Sequence, residues 1–155
     1  MGSRDNKVIA SEIKAQVSQI ELVLARLLER EAQSARGEAT VIEGAAFYIH
    51  NYYSAVEDLM KIVAAAFENN IDDPSRWHRE LLDRMARDIE GVRPRLFSAE
   101  TAALLHRLRS FRHFFRHAYR VELDSAEIQA NIERVKEAHP LMLADINRFL
   151  GSLDG

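Results

Sequence analysis

Residues 40–63 read Thr40-Val41-Ile42-Glu43-Gly44-Ala45-Ala46-Phe47-Tyr48-Ile49-His50-Asn51-Tyr52-Tyr53-Ser54-Ala55-Val56-Glu57-Asp58-Leu59-Met60-Lys61-Ile62-Val63, and the way they are read decides the fold class. The run Phe47 to Tyr53 is aromatic enough to pass for a β-strand, because aromatic and β-branched residues suit a pleated surface. Spacing decides against it. Ile42, Ala46, Ile49, Tyr53, Val56, Met60 and Val63 recur every three to four residues, the period of one helix face, whereas a half-buried strand alternates every two. Thr40 followed by Glu43 is a capping-box pattern, so a helix is expected from there to about Glu68.

Outward from this segment the same period continues. Upstream, Ile9, Ile13, Val17, Ile20, Leu24 and Leu27 define one face of a helix from about Lys7 to Arg36, with Gly37 as its stop. Downstream, Asp73-Pro74 reads as an N-cap and a first-turn proline. The third helix carries Trp77, Leu81, Met85 and Ile89 and is expected to end at Gly91. Val92 to Phe97, with Pro94, reads as a short ordered loop. Ser98 caps a fourth helix extending to about Tyr119. Asp124 and Glu127 form a second capping box, and Ile128, Ile132, Val135, Met142, Ile146 and Phe149 carry the period through Pro140, which predicts a kink there rather than a break. The expectation is an all-α, single-domain bundle of about five helices over residues 1–155, with residues 1–6 disordered.

Composition narrows the function. With 155 residues, 47% hydrophobic and 29% charged, this is a chain able to bury a core. The absence of cysteine excludes a disulfide framework, a thiolate nucleophile and a thiolate metal site. No apolar run approaches the ~20 residues of a membrane span, and the N-terminus has no signal-peptide core, so a cytoplasmic protein with no membrane partner is expected.

The net charge of -3 is unremarkable, but its distribution is not. Helix four holds His106, Arg107, Arg109, Arg112, His113, Arg116, His117 and Arg120, with no acidic residue between Glu100 and Glu122. At about 100° per residue, Leu104, Leu108, Phe111, Phe115 and Ala118 form one apolar arc, flanked by Leu105 and Phe114, which reads as core. The opposite arc is almost wholly cationic, with Arg112 and Tyr119 at its edge. Arg112/Arg116 and Arg116/Arg120 are like-charge i,i+4 pairs, each destabilising by a few tenths of a kcal/mol. Acidic side chains of neighbouring helices are the plainer source of relief. Phosphate is the sharper one, since the guanidinium fork matches its oxygens. The interleaved histidines bring phosphate about level with the plainer reading, because a solvated face has no need of groups that titrate near neutral pH.

Arg112-His113-Phe114-Phe115-Arg116-His117-Ala118-Tyr119 is an R-x4-H-x-Y pattern. It resembles the HepT-like ribonuclease toxins of the HEPN superfamily. The flanks extend the resemblance over roughly residues 40 to 150: His50-Asn51-Tyr52-Tyr53 with Glu57-Asp58, Trp77 to Leu82, Arg93-Pro94, and Tyr119 through Asp124. What it implies is a metal-independent endoribonuclease that needs no cofactor. His117 would act as general acid or base and Arg112 would stabilise the phosphate oxygens, with His113 and Arg116 in support and Arg109 and Arg120 holding RNA. It further implies a cognate MNT-type nucleotidyltransferase antitoxin and places the AMP-acceptor hydroxyl on Tyr119. The residue after the motif arginine is often Asn or Asp in this superfamily; here it is His113, which still supplies a donor or acceptor. Side chains five residues apart leave a helix about 140° and ~7.5 Å apart, so Arg112 and His117 converge poorly within one helix. A homodimer in which each copy of helix four completes the other's site is therefore expected.

Other candidates have plainer readings. His113 and His117 at i,i+4 lack a carboxylate or cysteine to complete a metal site and sit among arginines, so no metal is expected there. His78 beside Trp77 reads as a packing or capping residue, with support of the cleft as the alternative. Glu57 and Asp58 read as solvent-facing or ion-paired, with a role in orienting Arg112 or His117 as the alternative. Phe47, Tyr52 and Tyr53 read as core or interface, and His139 as a helix-end residue. Two further functional readings stay open: a non-catalytic HEPN-like module that binds RNA or a nucleotide, and a structural helical oligomer whose basic face meets an acidic partner.

Overall fold

The computed structural model describes residues 3–34, 39–68, 74–117 and 124–154, and within these the side chains of 5–33, 41–68, 80–111 and 124–154. It contains five helices: α1 (Ser3–Ser34), α2 (Ala39–Phe67), α3 (Pro74–Met85), α4 (Ala99–His117) and α5 (Ser125–Leu153). There is no named strand among the described residues. Helix α1 begins at Ser3, ahead of the expected Lys7, and Asn6 Nδ2 donates to the carbonyl of Leu153 at 3.3 Å, tying that turn to the end of α5. Asp73, the expected cap of α3, lies outside the described residues.

The long helices form a four-membered bundle. Gln16 Nε2 reaches the carbonyl of Ala55 at 2.8 Å, and Val8 and Ile9 share a groove with Ile62 and Ala66, so α1 and α2 run antiparallel. Tyr52 meets His139 and Phe67 meets Phe149, so α2 and α5 run parallel. Ser98 and Thr101 meet Asp145 near one end, while Phe111 shares a cavity with Glu127 and Arg134 near the other, so α4 is antiparallel to α5. Helices α1 and α4 lie on opposite sides of the α2–α5 pair. The expected helix faces supply the core: Ile13, Ile20 and Leu27 of α1, Ile49, Tyr53, Val56 and Met60 of α2, Ile132, Val135, Met142 and Phe149 of α5 are all completely buried. Val17, Leu24 and Ile42 of those faces are half-buried, and Phe47, off the face, is 49% exposed and packed edge-on against Tyr48.

Three expectations are corrected. Helix α3 stops at Met85, not Gly91. Ile89 keeps the helical spacing from Met85, which is why periodicity overran the end. The chain instead reverses: Ile89 and Arg93 exchange backbone hydrogen bonds at 2.9 and 3.0 Å around Gly91, whose φ of 76° is the left-handed region that suits glycine. The Met85 carbonyl then accepts from both Leu96 and Phe97, each fully buried. Second, the buried wedge of α4 is rotated from the predicted arc. Leu105 and Leu108 are completely buried with Thr101, while Leu104 is only half-buried, because α4 packs against α2 and α5 at once. Third, His139 is no helix-end residue. Helix α5 runs unbroken through Pro140, and His139 sits near its middle, 7% exposed, with Nδ1 2.8 Å from the hydroxyl of buried Tyr52.

Candidate nucleic-acid interface on helix four

The start of α4 is fixed from two sides. Ser98 is its N-cap, the hydroxyl accepting from the Thr101 amide at 3.3 Å. Behind the cap stands Asp145 of α5, 8% exposed. Its Oδ2 accepts from the Ser98 amide at 2.9 Å, the Ser98 hydroxyl at 3.1 Å and the Thr101 hydroxyl at 2.6 Å. A carboxylate at a helix N-terminus also meets the positive end of the helix dipole. This anchor sets the rotation of α4, and therefore where every later position on it falls.

The described cations of α4 divide by partner. His106 follows the plainer expectation: Nε2 lies 2.8 Å from Asp83 Oδ1 on α3. Arg109 does not. It is half-buried, its Nε is shut off from solvent, and it finds no hydrogen-bond or ion-pair partner among the described residues. Arg107 is exposed and likewise unpaired among them. Arg112, His113, Arg116 and His117 occupy the last turns of α4 as expected, but their side chains lie outside the described ones. Tyr119 and Arg120 lie outside the described residues altogether, and with them the expected extension of α4 from His117 to Tyr119. The helical period places positions 109, 112 and 116 within a sector of about 60°, so the unpaired Arg109 shares a side of α4 with two motif arginines.

Other candidates settle differently. Glu57 is ion-paired as expected, 3.8 Å from Lys61 Nζ, yet only 2% exposed, while Asp58 faces solvent 3.9 Å from the same ammonium. His78 and Trp77 have side chains outside the described ones. Arg93, read as a flank of the site, is structural. Its side chain is 1% exposed, and its Nη atoms donate to Glu68 Oε1 at 2.8 Å and to the carbonyls of Arg84, Arg87 and Pro94 at 3.1, 3.2 and 3.0 Å. A feature missed from sequence is a cavity between α4 and α5, bordered by Arg107, Ser110, Phe111, Glu127 and Arg134. Glu127 and Arg134, two helical turns apart on α5, were its only available signal.

Among the described residues the chain is an all-α bundle of five helices, with Arg107 and Arg109 of α4 lacking a partner among them. Residues 44–153, well over half of the chain, match the family of HepT-like proteins. The chain is a member of the HepT-like family. Neither the curated proteins nor the solved structures contain a match. No helix, among the described residues, is long and apolar enough to cross a membrane.

Proposed function

We propose that this protein is a toxin-type, metal-independent endoribonuclease, held in check by a cognate nucleotidyltransferase antitoxin. The observation that carries the reading is the R-x4-H-x-Y motif at residues 112–119, whose positions 112–117 form the last turns of α4, inside the span that matches a family whose members are in general ribonuclease toxins. Arg109, on the same side of α4 as positions 112 and 116 and without a partner among the described residues, is placed to receive an anionic ligand.

In the proposed reaction the RNA supplies its own nucleophile. A 2′-oxygen attacks the adjacent phosphorus, the bond to the 5′-oxygen breaks, and the products are a 2′,3′-cyclic phosphate and a 5′-hydroxyl. His117 takes the 2′ proton or delivers one to the leaving oxygen. Arg112 neutralises the charge that builds on the phosphorane oxygens, with Arg116 and His113 beside it. Arg109 and Arg120 hold neighbouring phosphates. Because positions 112 and 117 diverge by about 140° on one helix, a second copy of α4 completes each site. The protein therefore works as a homodimer in the cytoplasm, with an interface on the order of 1,000 Å² or more. Control acts on Tyr119: its hydroxyl oxygen attacks the α-phosphorus of ATP, pyrophosphate leaves, and the new AMP phosphate occupies the arginines that the substrate needs.

The test is incubation of purified protein with RNA in excess EDTA. Wild type cleaves; Arg112→Ala and His117→Ala do not. Cleavage that survives His117→Ala refutes the mechanism. RNA binding without cleavage in the wild type would instead favour a non-catalytic RNA-binding module.

A further inference from the structure

The cavity between α4 and α5 has a volume of about 410 Å³, at the lower end of the range typical of small-molecule sites, and its lining is mostly apolar with charged groups at the border. Phe111, 6% exposed, contributes to that lining. Ser110 stands on the α4 side, its hydroxyl donating to the His106 carbonyl at 3.1 Å and so keeping its lone pairs for an incoming donor. Two arginines border the cavity, Arg107 from α4 and Arg134 from α5. Arg107 makes no hydrogen bond or ion pair among the described residues. Arg134 is held in place on α5, donating to Asn131 Oδ1 at 3.0 Å and standing 3.7 Å from Glu127 Oε1. Asn131 in turn donates to Oε1 of Glu127 at 3.3 Å. These contacts all use one carboxylate oxygen, so Oε2 of Glu127 has no partner among the described residues and is left as an acceptor at the cavity edge.

Two cations, a mostly apolar lining and one spare carboxylate oxygen suit a single ligand class. Arginine forks take a phosphate. A planar base lies against the apolar lining. The carboxylate accepts from an exocyclic amine, which adenine and cytosine carry and uracil does not. Position also matters. Ser110 precedes His117 by seven residues, which on a helix is about 10.5 Å along the axis and only about 20° around it. At roughly 3.4 Å per stacked nucleotide, a strand running along this ridge of α4 reaches the cavity about three nucleotides from position 117.

We propose that the α4–α5 cavity is a subsite for one nucleotide of a bound RNA strand, with Arg107 and Arg134 on its phosphate and Glu127 selecting an amino-bearing base. The assignment of the strand rests on the ribonuclease reading above. The test is an amide-resolved NMR titration of the full chain with AMP, CMP, UMP and 2′-O-methyl hexanucleotides of A or of U, run beside the EDTA cleavage assay. AMP and CMP should shift the amides of residues 107–111 and 127–134, and UMP should bind there about tenfold more weakly. The A-hexanucleotide should bind at least tenfold more tightly than AMP. Arg107→Ala, at an exposed position, should weaken the A-hexanucleotide about tenfold, and Glu127→Gln, whose amide can also donate to uracil, should erase the preference for A over U. Shifts elsewhere only, or equal affinity for A and U, overturn the subsite. A hexanucleotide that binds no better than AMP overturns its assignment to a strand. RNA cleavage with a silent cavity refutes this proposal alone, whereas cavity shifts without cleavage support it as a nucleotide site and refute the nuclease reading.

Discussion

Two arginines in this bundle, Arg93 and Arg109, meet opposite fates. Arg93 closes the corner between α3 and α4: both terminal nitrogens are engaged, holding Glu68 and three backbone carbonyls. Those carbonyls include Arg84 in the last turn of α3 and Arg87 two residues past its end, so a single side chain fastens the end of α3 to Glu68, just past α2. Arg109 is half-buried one turn before the motif and is fastened to nothing among the described residues. Nε is buried without a partner among the described residues in both, so the difference lies in the terminal nitrogens. A cation whose terminal nitrogens are spent on the protein cannot clasp a phosphate, and one whose terminal nitrogens are idle is costly unless something else accepts them. Their occupancy separates a structural arginine from a candidate ligand-binding one where sequence sees only the residue type.

The comparison is sharpened most strongly at the motif itself. His117→Ala and Arg112→Ala should lower RNA cleavage by about 10²- to 10⁴-fold, the range for a lost general acid–base group or oxyanion stabiliser. Their melting temperatures should stay near wild type. A cooperative loss of stability in either variant, seen by circular dichroism, would move that residue into the class of Arg93.

Arg93→Ala should do the reverse. Removing one member of a buried ion pair leaves Glu68, whose side chain is 4% exposed, charged and uncompensated, at a cost of about 3–5 kcal/mol. Arg84 Nη2, 3.5 Å from the same oxygen, offsets only part of this. Chemical denaturation should show the loss, and the residual folded protein should keep its affinity for RNA. An RNA-binding defect at unchanged stability would break the distinction drawn here.

Arg109→Ala is the smaller counterpart. Affinity for single-stranded RNA should fall about tenfold, and the slope of log K against log salt should flatten by about 0.7, one phosphate's worth of released counterion. Stability should hold or rise slightly, because an idle buried donor is removed. A Tm lowered by several degrees would mean that Arg109 is glue after all.

Much of this architecture was legible because local signals and long-range packing agree. The helical spacing of residues 42–63 outvoted their aromatic content, and Ser98 and Asp124 cap α4 and α5 as their types dictate, Asp124 Oδ1 accepting from the Ala126 amide at 3.0 Å. Where the two diverged, packing won. Ile89 carries a helical spacing but serves a reverse turn, since Arg93 and Gly91 settle the chain's direction there. Leu104 and Leu105 are indistinguishable in composition, and only the simultaneous contact of α4 with α2 and α5 buries the second completely. The candidate site is visible in the sequence only as a motif and a concentration of charge. Which cations are already paired is not, because Asp83 and Glu68 reach their partners across 23 and 25 residues of sequence.

The subtlest expected effect lies far from α4, at His139. The ring is enclosed by the bundle; Nδ1 faces the Tyr52 hydroxyl and Nε2 has no partner among the described residues. A neutral ring with its proton on Nε2 accepts from the tyrosine, whose own proton is held firmly because burial pushes the phenol's pKa up, helped by Glu21 of α1. Burial pushes His139 down from its ordinary 6.5, and the charge of Glu21 opposes this only in part. The sign follows directly. Below about pH 6.5 the unfolded chain takes up a proton that the folded chain resists, so unfolding becomes more favourable as the solution acidifies. The stabilisation is complete above pH 6.5 and is lost as pH falls towards the depressed value in the fold. Melting curves between pH 8 and 5 should decline in the wild type and more shallowly in His139→Gln, whose amide oxygen can still accept from Tyr52 but cannot titrate. Tyr52→Phe leaves the ring without its donor and should cost about 1–3 kcal/mol at neutral pH. Arg112→Ala, by contrast, should track the wild-type curve at every pH, since the motif and the α2–α5 pair are separate devices. Identical pH dependence in the wild type and His139→Gln would remove His139 as the origin of the acid sensitivity.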